Sequence, residues 1–233
     1  MRPEFPYRPS DRFVWILLAF QAGYLNIGGL LAVQSLIVHV TGAFSFFGQQ
    51  LAKQAWGQVL FFLVILVFFW MGAFLSALFI EKQQPTQASA HGFCFLILAL
   101  LLMLVMVGGE SALFGRFGGK VERWLHFFPV ALLAACSGAQ NAIITMYTKA
   151  IVRTTHLTGP LTDLGIGSAR ILLTGDPVEK NKNAIRLDTM IFFVTGSALA
   201  TWLFPLYGYK SFAVSSALFL VIGMRLPKLQ RPE

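Results

Sequence analysis

The sequence contains few charged residues. Asp, Glu, Lys and Arg together make up 12% of its 233 residues, whereas hydrophobic residues make up 56%. A soluble domain of this size needs more charge than this to cover its surface. The composition therefore excludes an ordinary soluble globular protein and favours a protein that lives in a membrane.

Cysteines and catalytic motifs are also scarce. Cys94 and Cys136 lie inside apolar stretches, where they predict packing residues rather than a disulfide framework. Gly72, Gly138 and Gly196 are likewise predicted to pack helices together. No nucleophile elbow, paired-carboxylate pattern, phosphate loop or dinucleotide fingerprint occurs. We therefore expect no catalytic residue, no metal and no cofactor, and a non-enzymatic role is favoured.

Apolar residues, by contrast, come in long uncharged blocks. Phe13–Ala52, for example, contains no Asp, Glu, Lys or Arg. A helix needs roughly 20 apolar residues to cross a bilayer, where every backbone polar group must be bonded within the protein. The blocks predict an all-α integral membrane protein with about six transmembrane helices, near Phe13–Val33, Gln58–Ile80, His91–Val107, Phe128–Thr148, Thr189–Tyr207 and Ser211–Met224.

The distribution of Lys and Arg predicts the orientation. With the N-terminus inside, 13 of the 18 basic residues fall in inner segments and 5 in outer segments. Cytoplasmic connections carry such an excess of Lys and Arg, so both termini are expected in the cytoplasm. This topology accounts for the net charge of +8, and no nucleic-acid partner is expected.

Two segments of the chain resemble each other. His39–Lys53 and His156–Arg170 both fit H-[VL]-T-G-x5-G-x3-A-[KR], and the upstream Gly23–Asn26 resembles Gly138–Asn141. Each half then has three spans, and an odd number of spans forces the two copies into opposite orientations. We therefore expect two inverted three-span repeats. The predicted boundaries are a tail over 1–12, a first repeat over 13–107, a Gly-rich linker over 108–127, a second repeat over 128–225 and a tail over 226–233.

A short broken or re-entrant helix is expected after the first span of each repeat. Phe13–Ala52 has 40 residues, twice the length needed to cross. Gly28-Gly29 and Thr41-Gly42 are the candidate breaks, because Gly accepts backbone angles outside the helix and Thr can cap a new one. The new helices are predicted over Ala43–Trp56 and Pro160–Leu173. They either dip into the membrane with their N–H groups facing a ligand, or lie along its surface.

The chain resembles the YoaK family of bacterial membrane proteins. The resemblance covers nearly the whole chain and rests on Ala22-Gly23-Tyr24-Leu25-Asn26, Val38-His39-Val40-Thr41-Gly42, Gly138-Ala139-Gln140-Asn141-Ala142 and Thr154-Thr155-His156-Leu157-Thr158-Gly159. It implies a multi-pass protein of the bacterial inner (cytoplasmic) membrane and, as the usual conjecture for this family, transport of a small molecule. Members often have Asp at the position of Asn26, and the amide found here cannot carry a coupling proton.

The candidate substrate-binding residues are matched between the two copies or are polar within a span. They are Asn26, His39, Thr41, Gly42, Gln140, Asn141, His156, Thr158, Gly159 and Asp163. The three amides either contact a ligand or hydrogen-bond neighbouring helices. The two histidines either titrate during function or make ordinary interfacial hydrogen bonds. Asp163 either pairs with Arg170 or faces a cavity.

These features favour a small-molecule permease or channel with its site between the two repeats. One alternative is a membrane enzyme that acts on a lipid-like substrate through His39 or His156, and another is a non-transporting membrane assembly or sensor protein. A polar cavity at the repeat interface would favour transport, and histidines converging beside a carboxylate would favour an enzyme. Membrane lipids and an unknown small molecule are the expected partners, and homo-oligomerisation is left open.

Overall fold

The computed structural model describes residues 9–83, 87–119, 121, 123–148 and 157–229. Within these ranges the chain is helical and contains no strand. The α-helices are α1 Pro9–Val33, α2 Val40–Ala52, α3 Trp56–Lys82, α4 Gln87–Glu110, α5 Phe127–Tyr147, α6 Thr158–Thr174, α7 Pro177–Tyr207 and α8 Phe212–Leu229. Two 3₁₀ turns, Trp124–His126 and Gly208–Ser211, lead into α5 and α8.

Several of these helices are suited to a membrane. In the described part of the chain, five helical segments are long and apolar enough to cross one, and the last of them, Pro177–Leu226, combines α7 and α8. The six predicted spans correspond to α1, α3, α4, α5, α7 and α8, and the two predicted short helices correspond to α2 and α6. The expected all-helical membrane fold is therefore confirmed, whereas the number of crossings and the repeat boundaries stay predictions.

Three long helix pairs form the bundle: α1 packs along α7, α3 along α5 and α4 along α8. The first pair runs parallel. At one end Arg12 Nε lies 2.6 Å from Asp188 Oδ2, and further along Gly28 faces the ring of Phe204. The short helices pack on these pairs, α2 on α3 and α6 on α7.

Glycines bring two of these pairs into direct backbone contact. A Cβ built on any of four glycines would lie 2.7–2.8 Å from a carbonyl carbon of the partner helix, where ordinary contact begins at 3.4 Å. The glycines are Gly23, Gly196, Gly72 and Gly138, and they face, in that order, Phe193, Phe20, Ala135 and Phe69. The predicted packing role of Gly72, Gly138 and Gly196 follows from this contact, because only a residue without a side chain allows such an approach.

The first helix break lies elsewhere than predicted. α1 runs through the Gly28-Gly29 pair and ends at Val33. Gln34 then adopts a left-handed conformation with a φ of 58°, and its Nε2 donates a 2.8 Å hydrogen bond to the carbonyl oxygen of Gly118. Gly118 N donates in turn to the carbonyl oxygen of Ala32 at 3.1 Å. The linker between the two halves thus ends α1.

The predicted non-helical junctions at the two Thr-Gly pairs are wrong. α2 begins at Val40 and α6 begins at Thr158, so each pair lies in the first turn of a helix. Neither Gly42 nor Gly159 has a positive φ; the described glycines that do are Gly115, Gly118, Gly175 and Gly208. In the first copy the chain turns earlier, over residues 34–39.

Candidate functional site

A polar cavity of about 820 Å³ lies between the two halves of the chain. We call it the Asn26–Asn141 cavity after the two amides on its wall. Its first-half residues are Asn26, Leu36, Val38, His39 and Thr41, and its second-half residues are Asn141, Thr145, Leu157, Thr158, Gly159 and Phe193. Six of the ten predicted site residues therefore border one cavity: Asn26, His39, Thr41, Asn141, Thr158 and Gly159.

Four helices supply the polar part of this wall. Asn26 projects from α1, and Asn141 and Thr145 project from α5. The two α5 residues are four apart and so share one face of the helix. Thr145 Oγ1 donates a 2.7 Å hydrogen bond to the carbonyl oxygen of Asn141. The lone pairs of the Thr145 hydroxyl oxygen therefore stay available as acceptors. The starts of α2 and α6 complete the polar part of the wall.

Asn26 offers an unused acceptor. Its Oδ1 is buried and accepts no hydrogen bond from any described residue. A buried polar atom left without a partner costs about 1–3 kcal/mol. Asn26 borders the cavity, and a rotation of its side chain would bring this oxygen within reach of a water molecule or of a ligand that carries a hydrogen-bond donor.

The starts of α2 and α6 bring backbone N–H groups to the wall. The residues at their N-cap positions, His39 and Leu157, make no side-chain capping hydrogen bond. By contrast, α7 is capped, because Asp176 Oδ1 accepts a 2.8 Å hydrogen bond from Val178 N. The first N–H groups of a helix have no partner within it and carry its positive dipole end. The described lining contains no Asp, Glu, Lys or Arg, so these donors are not offset by an acidic side chain there.

The remaining predicted residues lie elsewhere. Gln140 is buried, and its Nε2 donates a 3.0 Å hydrogen bond to the carbonyl oxygen of Leu18, so it joins α5 to α1. Gly42 faces His39, whose Cδ2 would be 2.7 Å from a Cβ at that position. Asp163 is exposed on α6 and does not border the cavity. His156 lies outside the described residues.

Five lining residues were not predicted: Leu36, Val38, Thr145, Leu157 and Phe193. Thr145 could have been found, because it follows Asn141 by one helical turn. Phe193 carries no local signal, since it reaches the wall only through the packing of α7 on α1. Among the described residues, no three His, Cys, Asp or Glu side chains are grouped as metal ligands.

A family model described as "Protein of unknown function (DUF1275)" matches residues 14–224. The chain therefore belongs to this family, of which the YoaK proteins are members, and the resemblance seen in the sequence is confirmed. No curated protein and no solved structure matches the chain.

Proposed function

We propose that this member of the DUF1275 family is a permease or channel for a small molecule, with its substrate site in the Asn26–Asn141 cavity. The observation that carries the proposal is the cavity itself, whose polar residues come from both halves of the chain. A volume of about 820 Å³ is in the range that small-molecule sites occupy. The amides and the backbone N–H groups at the starts of α2 and α6 would supply the few polar contacts that orient a ligand.

The helix pairs support an inverted repeat within this proposal. If α1, α2, α3 and α4 correspond to α5, α6, α7 and α8, then the α1–α7 pair corresponds to the α5–α3 pair. The same contact occurs in both pairs. Each helix carries a glycine, and this glycine faces the backbone carbonyl of the residue that lies three positions before the glycine of the partner helix. Gly23 then corresponds to Gly138, and Gly196 to Gly72, as the sequence match of Gly23–Asn26 with Gly138–Asn141 requires.

The pair formed by α4 and α8 supports the same symmetry. The ring of Phe95 contacts that of Phe219 in a tilted arrangement, with ring centroids 5.5 Å apart. On one side of this contact Gly223 faces the carbonyl oxygen of Gly92, and on the other Ser216 Oγ donates a 2.9 Å hydrogen bond to the carbonyl oxygen of Ala99. If α4 and α8 are exchanged, so that Phe95 takes the place of Phe219, the contact between Gly92 and Gly223 takes the place of the contact between Ser216 and Ala99. These contacts are those expected if a pseudo-two-fold axis passes through the phenylalanine pair.

The lengths of the short helices support the dipping arrangement over the surface arrangement. α2 has 13 residues and α3 has 27, so at 1.5 Å per residue α2 is about 20 Å long and α3 about 40 Å. A tight turn joins them, and Phe46 of α2 stacks on Phe62 of α3. The start of α2 therefore lies beside the middle of α3. α6 has 17 residues against 31 in α7, so it likewise extends over about half of its partner, and Asn183 Nδ2 bonds the carbonyl oxygen of Leu164 between them.

This arrangement gives the permease a path at the depth of the bilayer centre. With six crossings and both termini in the cytoplasm, α2 would lie in the outer half of the bilayer and α6 in the inner half. Their first turns would then meet at the cavity. The enzyme alternative needs a carboxylate beside His39, and the described cavity lining supplies none. An assembly protein does not require a polar cavity.

Comparative metabolite profiling tests the proposal. A deletion strain is complemented with the wild type, with Asn26→Leu/Asn141→Leu, or with Gly48→Ala as control, since a Cβ at Gly48 has nothing within 4 Å. Membrane levels are matched by quantitative blotting. We expect at least one small solute whose uptake requires the wild type or the control and is lost with the double variant. Identical uptake profiles in these three strains and in the uncomplemented deletion strain would refute a transport role.

A further inference from the structure

The end of α6 and the beginning of α7 form a basic corner that the transport proposal does not use. Between residues 170 and 186 the chain has four basic residues, Arg170, Lys180, Lys182 and Arg186, and two acidic residues, Asp176 and Glu179. Glu179 is buried with 4% of its surface exposed. Its carboxylate is the centre around which three of these cations gather.

One of the three cations accounts for the charge of Glu179. Arg186 Nη1 donates a 2.7 Å hydrogen bond to Oε1, and this bond lowers the pKa of Glu179, so the carboxylate is ionised at neutral pH. Arg170 Nη1 and Lys182 Nζ lie 4.0 and 3.7 Å from Oε2. Their side chains are 65% and 42% exposed, compared with 20% for Arg186. A single carboxylate cannot neutralise all three, so two accessible cations remain side by side.

The backbone is shaped to hold this cluster. Gly167 of α6 is buried against it, and a Cβ there would lie 2.7 Å from Arg186 Nη1 and 2.8 Å from Glu179 Oε1. Asn183 Nδ2 donates 3.3 Å hydrogen bonds to the carbonyl oxygen of Leu164 and to Ser168 Oγ. The packing of α6 on α7 therefore brings Arg170 of α6 and Lys182 of α7 to within 4.0 Å of one carboxylate oxygen.

Two leucines lie next to the cations. Leu172 and Leu173 are each 86% exposed, more than any other large hydrophobic residue in the described part of the chain. Apolar side chains so fully exposed beside cationic ones are typical of a surface at the boundary between acyl chains and headgroups. The matching corner of the first half differs, since Lys53 is its cation and a Phe46–Phe62 stack holds α2 there.

We propose that this corner binds the headgroup of an anionic phospholipid, whose phosphate bridges Arg170 and Lys182 while Leu172 and Leu173 contact its acyl chains. The positive-inside topology places the corner at the cytoplasmic leaflet, the one that carries anionic lipids. Two cations held at one point match a phosphodiester, and free phosphate lacks the chains that the leucines would contact. The inference requires a membrane-embedded chain and does not depend on transport.

The test measures the thermal unfolding midpoint of the full-length protein in neutral detergent, titrated with phosphatidylglycerol, with phosphatidylcholine of the same chain length, or with inorganic phosphate. The variant Arg170→Gln/Lys182→Gln removes the two accessible cations and keeps the Arg186–Glu179 pair. The control Lys53→Gln/Arg116→Gln removes two exposed charges elsewhere. Each cation near an anionic lipid surface is worth about five-fold in affinity, so we expect the first variant to bind phosphatidylglycerol about 30-fold more weakly.

The wild type and the control are expected to be stabilised by phosphatidylglycerol and not by phosphatidylcholine. A first variant that binds phosphatidylglycerol as tightly as the wild type would overturn the site, and so would a control that loses as much affinity. Equal stabilisation by both lipids would remove the headgroup contact, and stabilisation by inorganic phosphate alone would replace the lipid by a soluble anion. The unfolding midpoint of each variant without lipid shows that it is folded.

Discussion

Substitution of Gly138 by Ala tests the packing on which the helix pairs depend. The new Cβ would lie 2.7 Å from the carbonyl carbon of Phe69, whereas ordinary contact begins at 3.4 Å. The obstacle is backbone, which cannot rotate away, and the carbonyl oxygen of Phe69 lies nearer still than its carbon, so α3 and α5 must move apart by more than the 0.7 Å between 2.7 and 3.4 Å. Overpacking of this kind costs about 1–3 kcal/mol. We expect Gly138→Ala to lower the free energy of unfolding by that amount.

The matched control is Gly48→Ala on α2. Gly48 is also helical, but a Cβ there has nothing within 4 Å. Replacing a helical Gly by Ala without a clash stabilises by about 0.5–1 kcal/mol, so the two variants should shift in opposite directions. Unfolding in detergent, followed by intrinsic tryptophan fluorescence, measures both. If Gly138→Ala were as stable as Gly48→Ala, the close contact between α3 and α5 would be refuted.

Three further outcomes follow from other parts of the structure. Gly175 ends α6 with a φ of 67°, so Gly175→Ala should lower the thermal midpoint by the equivalent of about 1 kcal/mol. The hydrogen bond from Arg186 lowers the pKa of Glu179 below 4.5. The stability that the ionised Glu179 contributes is therefore full above pH 4.5 and is lost as the pH falls through the lowered pKa. In unfolding midpoints measured over a series of pH values, Glu179→Gln should remove this loss at acid pH. In an uptake assay at matched membrane levels, His39→Gln should retain most of the activity and Asn141→Leu should lose it, and the reverse order would move titration of the histidine to the centre of the mechanism.

The long helices could be predicted because an uncharged segment of about 20 apolar residues crosses a bilayer as a helix. Their ends could not. α7 begins at Pro177, well before the predicted Thr189, because Glu179 and Arg186 pair against α6 and allow a charged helical turn that no apolar count detects. α1 ends where the linker residue Gly118 bonds Gln34, a contact between residues far apart in sequence.

The candidate site was partly predictable for a similar reason. The match between the two copies aligned Asn26 with Asn141, and both residues border the cavity. Gln140 was grouped with them because it is polar and adjacent to Asn141. One residue along a helix turns the side chain by about 100°, however, and Gln140 faces Leu18 of α1 instead. Phe193 escaped prediction because only tertiary packing brings it to the wall.

The most direct test of the central claim, a water-accessible polar cavity formed by both halves, is cysteine accessibility. The buried Cys94 and Cys136 are first replaced by Ala, and single cysteines are then placed at Thr41, Asn141 and, as a control on the same α5 helix, the buried Ser137. Membranes are treated with a small hydrophilic maleimide from either side, and the labelled fraction is measured by mass spectrometry. We predict labelling of Thr41→Cys and Asn141→Cys and none of Ser137→Cys. Protection of both cavity positions from both sides of the membrane, in protein that is folded and correctly inserted, would contradict the account.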